Sequence, residues 1–138
     1  MTLYVFDTDH LSLYGRNHPV LIDRLQNHSI RLTTTAINIE EQLRGRLAQV
    51  AEAKDGVVLS NAYRWLSETV KMISVFEVLQ FTEAAQSIYQ DLKSQRIRIG
   101  TQDLRIASIV LANHGTLLSR NARDFDKVPD LIVENWTV

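Results

Sequence analysis

Four acidic stretches in this 138-residue chain could do chemistry together. Asp7 and Asp9 stand in Phe6-Asp7-Thr8-Asp9, directly after an apolar run. Glu40 and Glu41 stand in Ile39-Glu40-Glu41-Gln42-Leu43-Arg44-Gly45. Asp103 opens the most apolar segment of the chain, and Asn121, Asp124 and Asp126 follow Leu118-Ser119-Arg120. Each has an ordinary explanation. Asp9 or Thr8 could cap a helix. Glu40 precedes Arg44 by four residues, the favourable order for a helical ion pair. Asp103 would suit a helix N-terminus, and Asp124 a solvated surface. Glu41 is spaced four residues from Gly45, a position without a side chain that leaves room for a ligand or another backbone. Carboxylates that converge repel one another unless a cation neutralises them. Oxygen donors without cysteine or paired histidines favour Mg²⁺ or Mn²⁺ over zinc. Mg²⁺ suits phosphate substrates, so the chemistry would be phosphodiester hydrolysis.

Convergence depends on the elements. Residues 3–6 predict a buried strand ending at Asp7. Short helices follow around Leu11–Tyr14 and, opened by Pro19, over 20–25. Residues 30–33 predict a second strand, and Thr35 caps a long helix carrying Ile39, Leu43, Leu47 and Val50. A break at 54–56 leads to another long helix with an apolar stripe of Val58, Ala62, Trp65, Leu66, Thr69, Val70 and Ile73. The pair reads as a helical hairpin with Trp65 buried in it. Residues 75–81 predict a strand. Thr82 caps a helix whose Ala85, Ile88, Tyr89 and Leu92 face inward. Residues 104–112 form a buried helix, 117–118 a strand, 121–125 a helical turn and 131–133 a last strand. Alternating strands and helices give an α/β fold, a three-layer α/β/α arrangement with a central parallel sheet of four to five strands. In such sheets the site lies beyond the carboxyl ends of the strands, where these acidic residues fall.

Composition narrows the class. The length fits one domain spanning residues 1–138. The absence of cysteine excludes thiol nucleophiles and thiolate metal sites and suits a reducing, cytoplasmic compartment. The longest apolar run, 106–112, has seven residues and is interrupted by Ser108, short of the ~20 that a membrane span needs, and the N-terminus lacks the basic start of a signal peptide. A net charge of −1 argues against nucleic-acid binding by bulk charge. Eleven of the 15 basic residues are arginine, which forks onto phosphate. The four histidines lack metal-like spacing.

The segments Phe6-Asp7-Thr8-Asp9, Glu41-Gln42-Leu43-Arg44-Gly45, Asp103-Leu104-Arg105-Ile106-Ala107 and the run from Leu118 to Leu131 resemble, in order and separation, PIN-domain ribonucleases and among them the VapC toxins of toxin–antitoxin pairs. The resemblance covers essentially the whole chain. It implies a PIN-like fold, a metal-dependent endoribonuclease using Mg²⁺ (or Mn²⁺), and Asp7, Glu41 and Asp103 as the principal carboxylates. Asp124 takes the fourth acidic role, with Asn121 or Asp126 as alternatives for completing the site. Ser119, Asn121, Thr8 and Arg105 become the expected substrate contacts, and the other arginines, Arg44, Arg96, Arg98, Arg120 and Arg123, candidates for touching the RNA backbone. The implied partners are an RNA substrate and a VapB-like antitoxin, in a homodimer or a hetero-oligomer with that antitoxin, with no membrane association. Gln42 departs from the leucine usual there. Two other readings stand beside this one. A non-catalytic PIN-like module would bind RNA or a partner through the same fold. A haloacid-dehalogenase-like phosphatase also carries Asp-x-Asp after its first strand, but it needs Thr or Val where Leu11 stands and a downstream lysine motif that this chain lacks.

Overall fold

The structure, a computed structural model, describes residues 2–138. Its elements follow one another as β1 (Tyr4–Phe6), α1 (Thr8–Gly15), α2 (Pro19–Gln26), β2 (Thr33–Thr35), α3 (Ala36–Glu52), α4 (Gly56–Ile73), β3 (Glu77–Leu79), α5 (Glu83–Ser94), α6 (Thr101–Ala112), β4 (Thr116–Leu118), α7 (Ala122–Phe125) and β5 (Ile132–Glu134). The five strands form one sheet in the order β3-β2-β1-β4-β5, and every pairing is parallel. β1 is central, so its carboxyl end is flanked by the ends of β2 and β4.

Side chains alternate across the strands and divide the core in two. Val5 and Leu117 point to one face, where Leu104, Ala107 and Val110 of α6 and Phe125 of α7 cover them. Phe6 and Leu118 point to the other and meet Leu11, Leu21, Phe76 and Trp136. A sheet buried on both faces needs continuous apolar strands, which β1 and β4 supply. Gly115 precedes β4 because a Cβ there would lie 3.2 Å from the Leu3 carbonyl oxygen and 3.2 Å from Val5 Cγ2.

Several local signals act as expected. Pro19 opens α2, and the Thr35 and Thr82 side chains each accept the backbone N–H three residues on, as does Asp55 at the break before α4, where no cap was expected. Two expectations need correction. The second strand is Thr33–Thr35, three residues later than 30–33. Its fully buried threonines are β-branched and lie between β1 and β3, while Ile30 and Leu32 pack against the Phe6 cluster from the preceding loop. The apolar stripe on α4 is buried only at Ala62 and Thr69. Trp65 is 39% exposed, and Val58, Tyr63 and Val70 are exposed as well, because α4 packs chiefly on α3 as the outer arm of the hairpin. Among the described residues no helix is long and apolar enough to cross a membrane.

Gly115→Val should lower the melting temperature. Forcing a branched side chain against the backbone of β1 costs about 1–3 kcal/mol, the usual range for overpacking. Thermal denaturation by circular dichroism measures it.

Candidate functional site

Asp7 leaves β1 at its carboxyl end and is almost wholly buried. Its backbone is pinned to the neighbouring strand by Asp7 N–H donating to Leu118 O at 2.9 Å. Its carboxylate is gripped from two sides. Asn38 Nδ2 donates to Oδ1 at 2.9 Å, and Ser119 Oγ donates to Oδ2 at 2.7 Å. Asn38 is itself fixed, because Thr35 Oγ1 donates to its Oδ1 at 2.6 Å. Thus β2 and α3 supply one grip and the end of β4 the other.

Thr8 links this carboxylate to the next. Its hydroxyl accepts from Asn38 Nδ2 at 3.0 Å and donates to Glu41 Oε1 at 3.2 Å. Glu41 and Asp103 are each half-buried. Asp103 lies in the first turn of α6 and makes no capping bond, the cap position being Gly100. Asn121 Nδ2 lies 3.5 Å from Asp103 Oδ2 and 3.3 Å from Asp124 Oδ2, and so joins those two groups. Asp126 is exposed and its side chain plays no part in this network.

Burial and mutual repulsion show in the protonation of the cluster. Desolvation raises the Asp7 pKa, against the pull of Ser119 and Asn38, and the Asp9 charge raises it further. Glu41 is raised by burial and by the charge of Asp7, then of Asp103. Asp103 is pushed up to about 6 by burial and by the charges of Asp7, Asp124 and Asp9. Three acids from separate elements therefore share one electrostatic field. All of their ligating atoms are hard oxygens, the donor class of Mg²⁺ and Mn²⁺. Among the described residues no three His, Asp or Glu side chains lie close enough, as placed, to grip a single ion directly.

Of the expected substrate contacts, Ser119, Thr8 and Asn121 lie within the cluster. Ser119 is fully buried, and its hydroxyl is committed to Asp7 while accepting from Asn121 N–H at 3.0 Å. Thr8 is likewise occupied between Asn38 and Glu41. Both position carboxylates and leave little for a phosphate. Arg105 donates to Gln102 Oε1 at 2.7 Å and lies over the Tyr89 ring at 5.8 Å. Gln102 in turn donates to Glu40 Oε1 at 2.8 Å. Glu40 pairs with Arg44, as its spacing predicts, and stays outside the cluster.

Sequence reasoning missed the parts played by Asn38, Asp9, His10 and Gln42. Asn38 reads as an ordinary polar residue of a helix, and only its place three residues after the capping Thr35 hints at burial. Asp9 makes no cap. Its Oδ2 accepts from the Arg120 backbone N–H at 2.9 Å, and its Oδ1 accepts from His10 Nδ1 at 2.6 Å. Buried His10 completes this link by accepting the Trp136 N–H on Nε2 at 3.1 Å, which places the ring hydrogen on Nδ1. Gln42, the departure noted in the sequence, donates to Thr8 O at 3.1 Å and to Ser12 Oγ at 2.8 Å, tying α3 to α1 by bonds that a leucine could not make.

No protein-family model matches the chain. Ribonuclease VapC2 of Rickettsia felis is 34% identical over 68 residues, which make up 46% of this chain and 51% of that protein, so the chain spans about half the length of this curated relative. Among solved structures, DNA-bound VapBC from Salmonella typhimurium superposes with a TM-score of 0.78 at 22% identity, covering 99% of both chains. VapBC-1 from nontypeable Haemophilus influenzae gives 0.76 at 23%, covering 99% of this chain and all of that one. VapBC2 of Rickettsia felis bound to a promoter DNA fragment gives 0.74 at 24%, covering 98% and 99%. These likenesses establish a shared fold, and the resemblance to PIN-domain VapC toxins read from the sequence is borne out at that level.

Two outcomes test the cluster. Asp103 binds its proton more tightly folded than unfolded, with a pKa near 6 against an ordinary 3.8. Its contribution to stability is therefore full below about pH 4 and is lost as pH rises through about 6. Asp103→Asn should melt above the wild type at pH 8 in EDTA, and the gap should close near pH 4. Thermal melts at the two pH values decide it. Asn38→Ala removes the donor to Asp7 and Thr8 and should destabilise the fold by about 1–3 kcal/mol, the cost of an orphaned buried acceptor, read from urea denaturation.

Proposed function

We propose that this protein is a metal-dependent endoribonuclease, the toxin of a VapBC-type pair, and that Asp7, Glu41, Asp103 and Asp124 are its catalytic carboxylates. The observation that carries the reading is the convergence of Asp7, Glu41 and Asp103 at the carboxyl end of the sheet, where Asp7 raises the proton affinity of both others and Asp103 that of Glu41. Such a cluster is costly to a fold unless a cation offsets it. The sequence match to a ribonuclease across 46% of the chain, and the fold shared with VapBC proteins, support the same reading.

Asp7, Glu41 and Asp103 would hold Mg²⁺ or Mn²⁺, with Asp124 completing the site. Mg²⁺ keeps several of its waters, so a carboxylate can serve it through a water as well as directly. When bound, the ion supplies a water of lowered pKa and neutralises charge on the phosphoryl oxygens. The chain's own residues do the rest. Ser119 and Asn38 hold the Asp7 carboxylate in a single orientation. Thr8 sets the Glu41 oxygen that it bonds. Asn121 holds Asp103 and Asp124 together and offers a neutral amide to the substrate. Because water is the nucleophile, the ribose 2′-hydroxyl is not consumed, and the products carry 5′-phosphate and 3′-hydroxyl ends.

The partners follow from the same relatives. The cognate inhibitor would be a VapB-like antitoxin, the toxin would associate as a homodimer or with that antitoxin, and the complex would work in the cytoplasm.

Purified, antitoxin-free protein incubated with total RNA should cleave it in Mg²⁺ or Mn²⁺ and fail to do so in EDTA. Asp7→Asn should lower the rate by about 100-fold or more while keeping the fold, in line with loss of a principal ligand of the catalytic ion. Products ending in 2′,3′-cyclic phosphate would refute the water mechanism. A folded wild type that binds RNA, takes up no Mn²⁺ and cuts nothing would show a non-catalytic binding module instead.

A further inference from the structure

A groove of about 420 Å³ runs between α1, α3 and α4, within the roughly 300–1,000 Å³ usual for ligand sites. Its walls include Ser12 and Arg16 from the α1 end, Arg46 and Gln49 from α3, and Trp65 and Met72 from α4. A second depression, beside Thr8, Glu41 and Gly45, shares Ser12, Arg16, Gln42, Arg46 and Gln49 with it, so the groove is continuous with the carboxylate cluster. At Gly45 a Cβ would meet nothing within 4 Å, which leaves the passage past Glu41 open.

The charges in the groove are two arginines against one carboxylate, Glu68. Among the described residues no acidic side chain pairs with Arg16 or Arg46. Arg46 is held in place by Thr69 Oγ1 at 3.0 Å and Gln49 Oε1 at 3.1 Å, with its guanidinium 5.9 Å from the Trp65 ring centre. Trp65 is the outlier among the two tryptophans of the chain, 39% exposed where Trp136 is 1% exposed.

A polyanion drawn across an acidic cluster is repelled there and must be held by cations to one side. A cation beside an exposed aromatic face, in a groove that tracks away from the cleavage point, is the combination that holds single-stranded nucleic acid. We propose that this groove is a subsite for single-stranded RNA flanking the scissile bond, with Arg16 and Arg46 each on a phosphate and the Trp65 indole under a base. The inference rests on the ribonuclease reading above and adds where the strand runs.

The test uses full-length protein with Asp103→Asn to block cleavage, and a mixed-sequence single-stranded RNA of about ten nucleotides, within the site sizes usual for single-strand binders. Trp65 emission should change on binding. Trp136 is shielded and reports whether each variant stays folded. Trp65→Ala should weaken binding about 5- to 100-fold, the range for losing one stacked base, and Trp65→Phe should restore most of it. Arg16→Gln with Arg46→Gln should flatten the plot of log affinity against log salt by about 1.4, since each phosphate left unneutralised on a single strand lowers the slope by about 0.7. Arg16→Gln alone, whose side chain makes no hydrogen bond or ion pair among the described residues, should give about half of that. Tight binding with unchanged Trp65 emission and an unchanged salt slope would overturn the subsite and leave the ribonuclease reading standing. Emission that answers to an acidic, apolar peptide and not to RNA would make the groove a protein dock and overturn it equally. Failure of the wild type to bind or cleave any RNA would remove the ribonuclease reading, and this inference with it.

Discussion

A carboxylate buried at the carboxyl end of a central strand is the constraint around which this molecule is organised. Asp7 is 6% exposed, and burying a charge without partners is among the costliest things a fold can do. Everything near it serves either to satisfy that group or to place another beside it. The hydroxyl of Thr35, the amide of Asn38 and the hydroxyl of Ser119 are not decoration on an apolar core. They are the hydrogen-bond donors, and the supports of donors, that let Asp7 stand where solvent cannot reach it.

Satisfaction of Asp7 is only partial, and that matters for what the site can do. Its hydrogen bonds pull the pKa down while desolvation and Asp9 push it up, and the upward push wins. The same field reaches Glu41 and Asp103. An amide in place of one of these acids would relieve the repulsion. Retaining three acids, with Asp7 acting on both of the others, stores a demand for positive charge. The demand is specific, since the supporting bonds fix the orientation of Asp7 more firmly than those of Asp103 and Asp124, whose only shared tie is a long contact to Asn121.

Much of this is legible in the residues alone, and the boundary has a physical cause. Strand–helix alternation, Pro19, and the threonine caps at Thr35 and Thr82 are local signals, read within a few residues, and they place the helices correctly. The carboxylates are legible because a parallel sheet sends every strand's carboxyl end to one side. Illegible are the features decided by contacts distant in sequence. Three threonines carry no apolar alternation, so β2 is hidden, while Ile30 and Leu32 imitate a strand and pack as loop. Asn38 and His10 escape notice because a lone amide or imidazole looks the same in sequence whether it faces water or a buried partner. Ser119 and Thr8 suit a substrate contact by type, yet a hydroxyl next to a buried carboxylate is captured by it. Trp65 reads as core because helical periodicity shows which face is apolar and not whether another layer covers it.

The pinning of Asp7 to Leu118, and of His10 to Trp136, has a consequence for the order of events in synthesis. Of the five strands, the first made is the middle one, and its neighbour β4 is made more than a hundred residues later. At a translation speed of about 5–20 residues per second, Asp7 waits several seconds before the strand and the serine that orient it exist. A ribosome-bound nascent chain therefore carries its acids unassembled, and the carboxylate cluster comes into being only as the last strands are added.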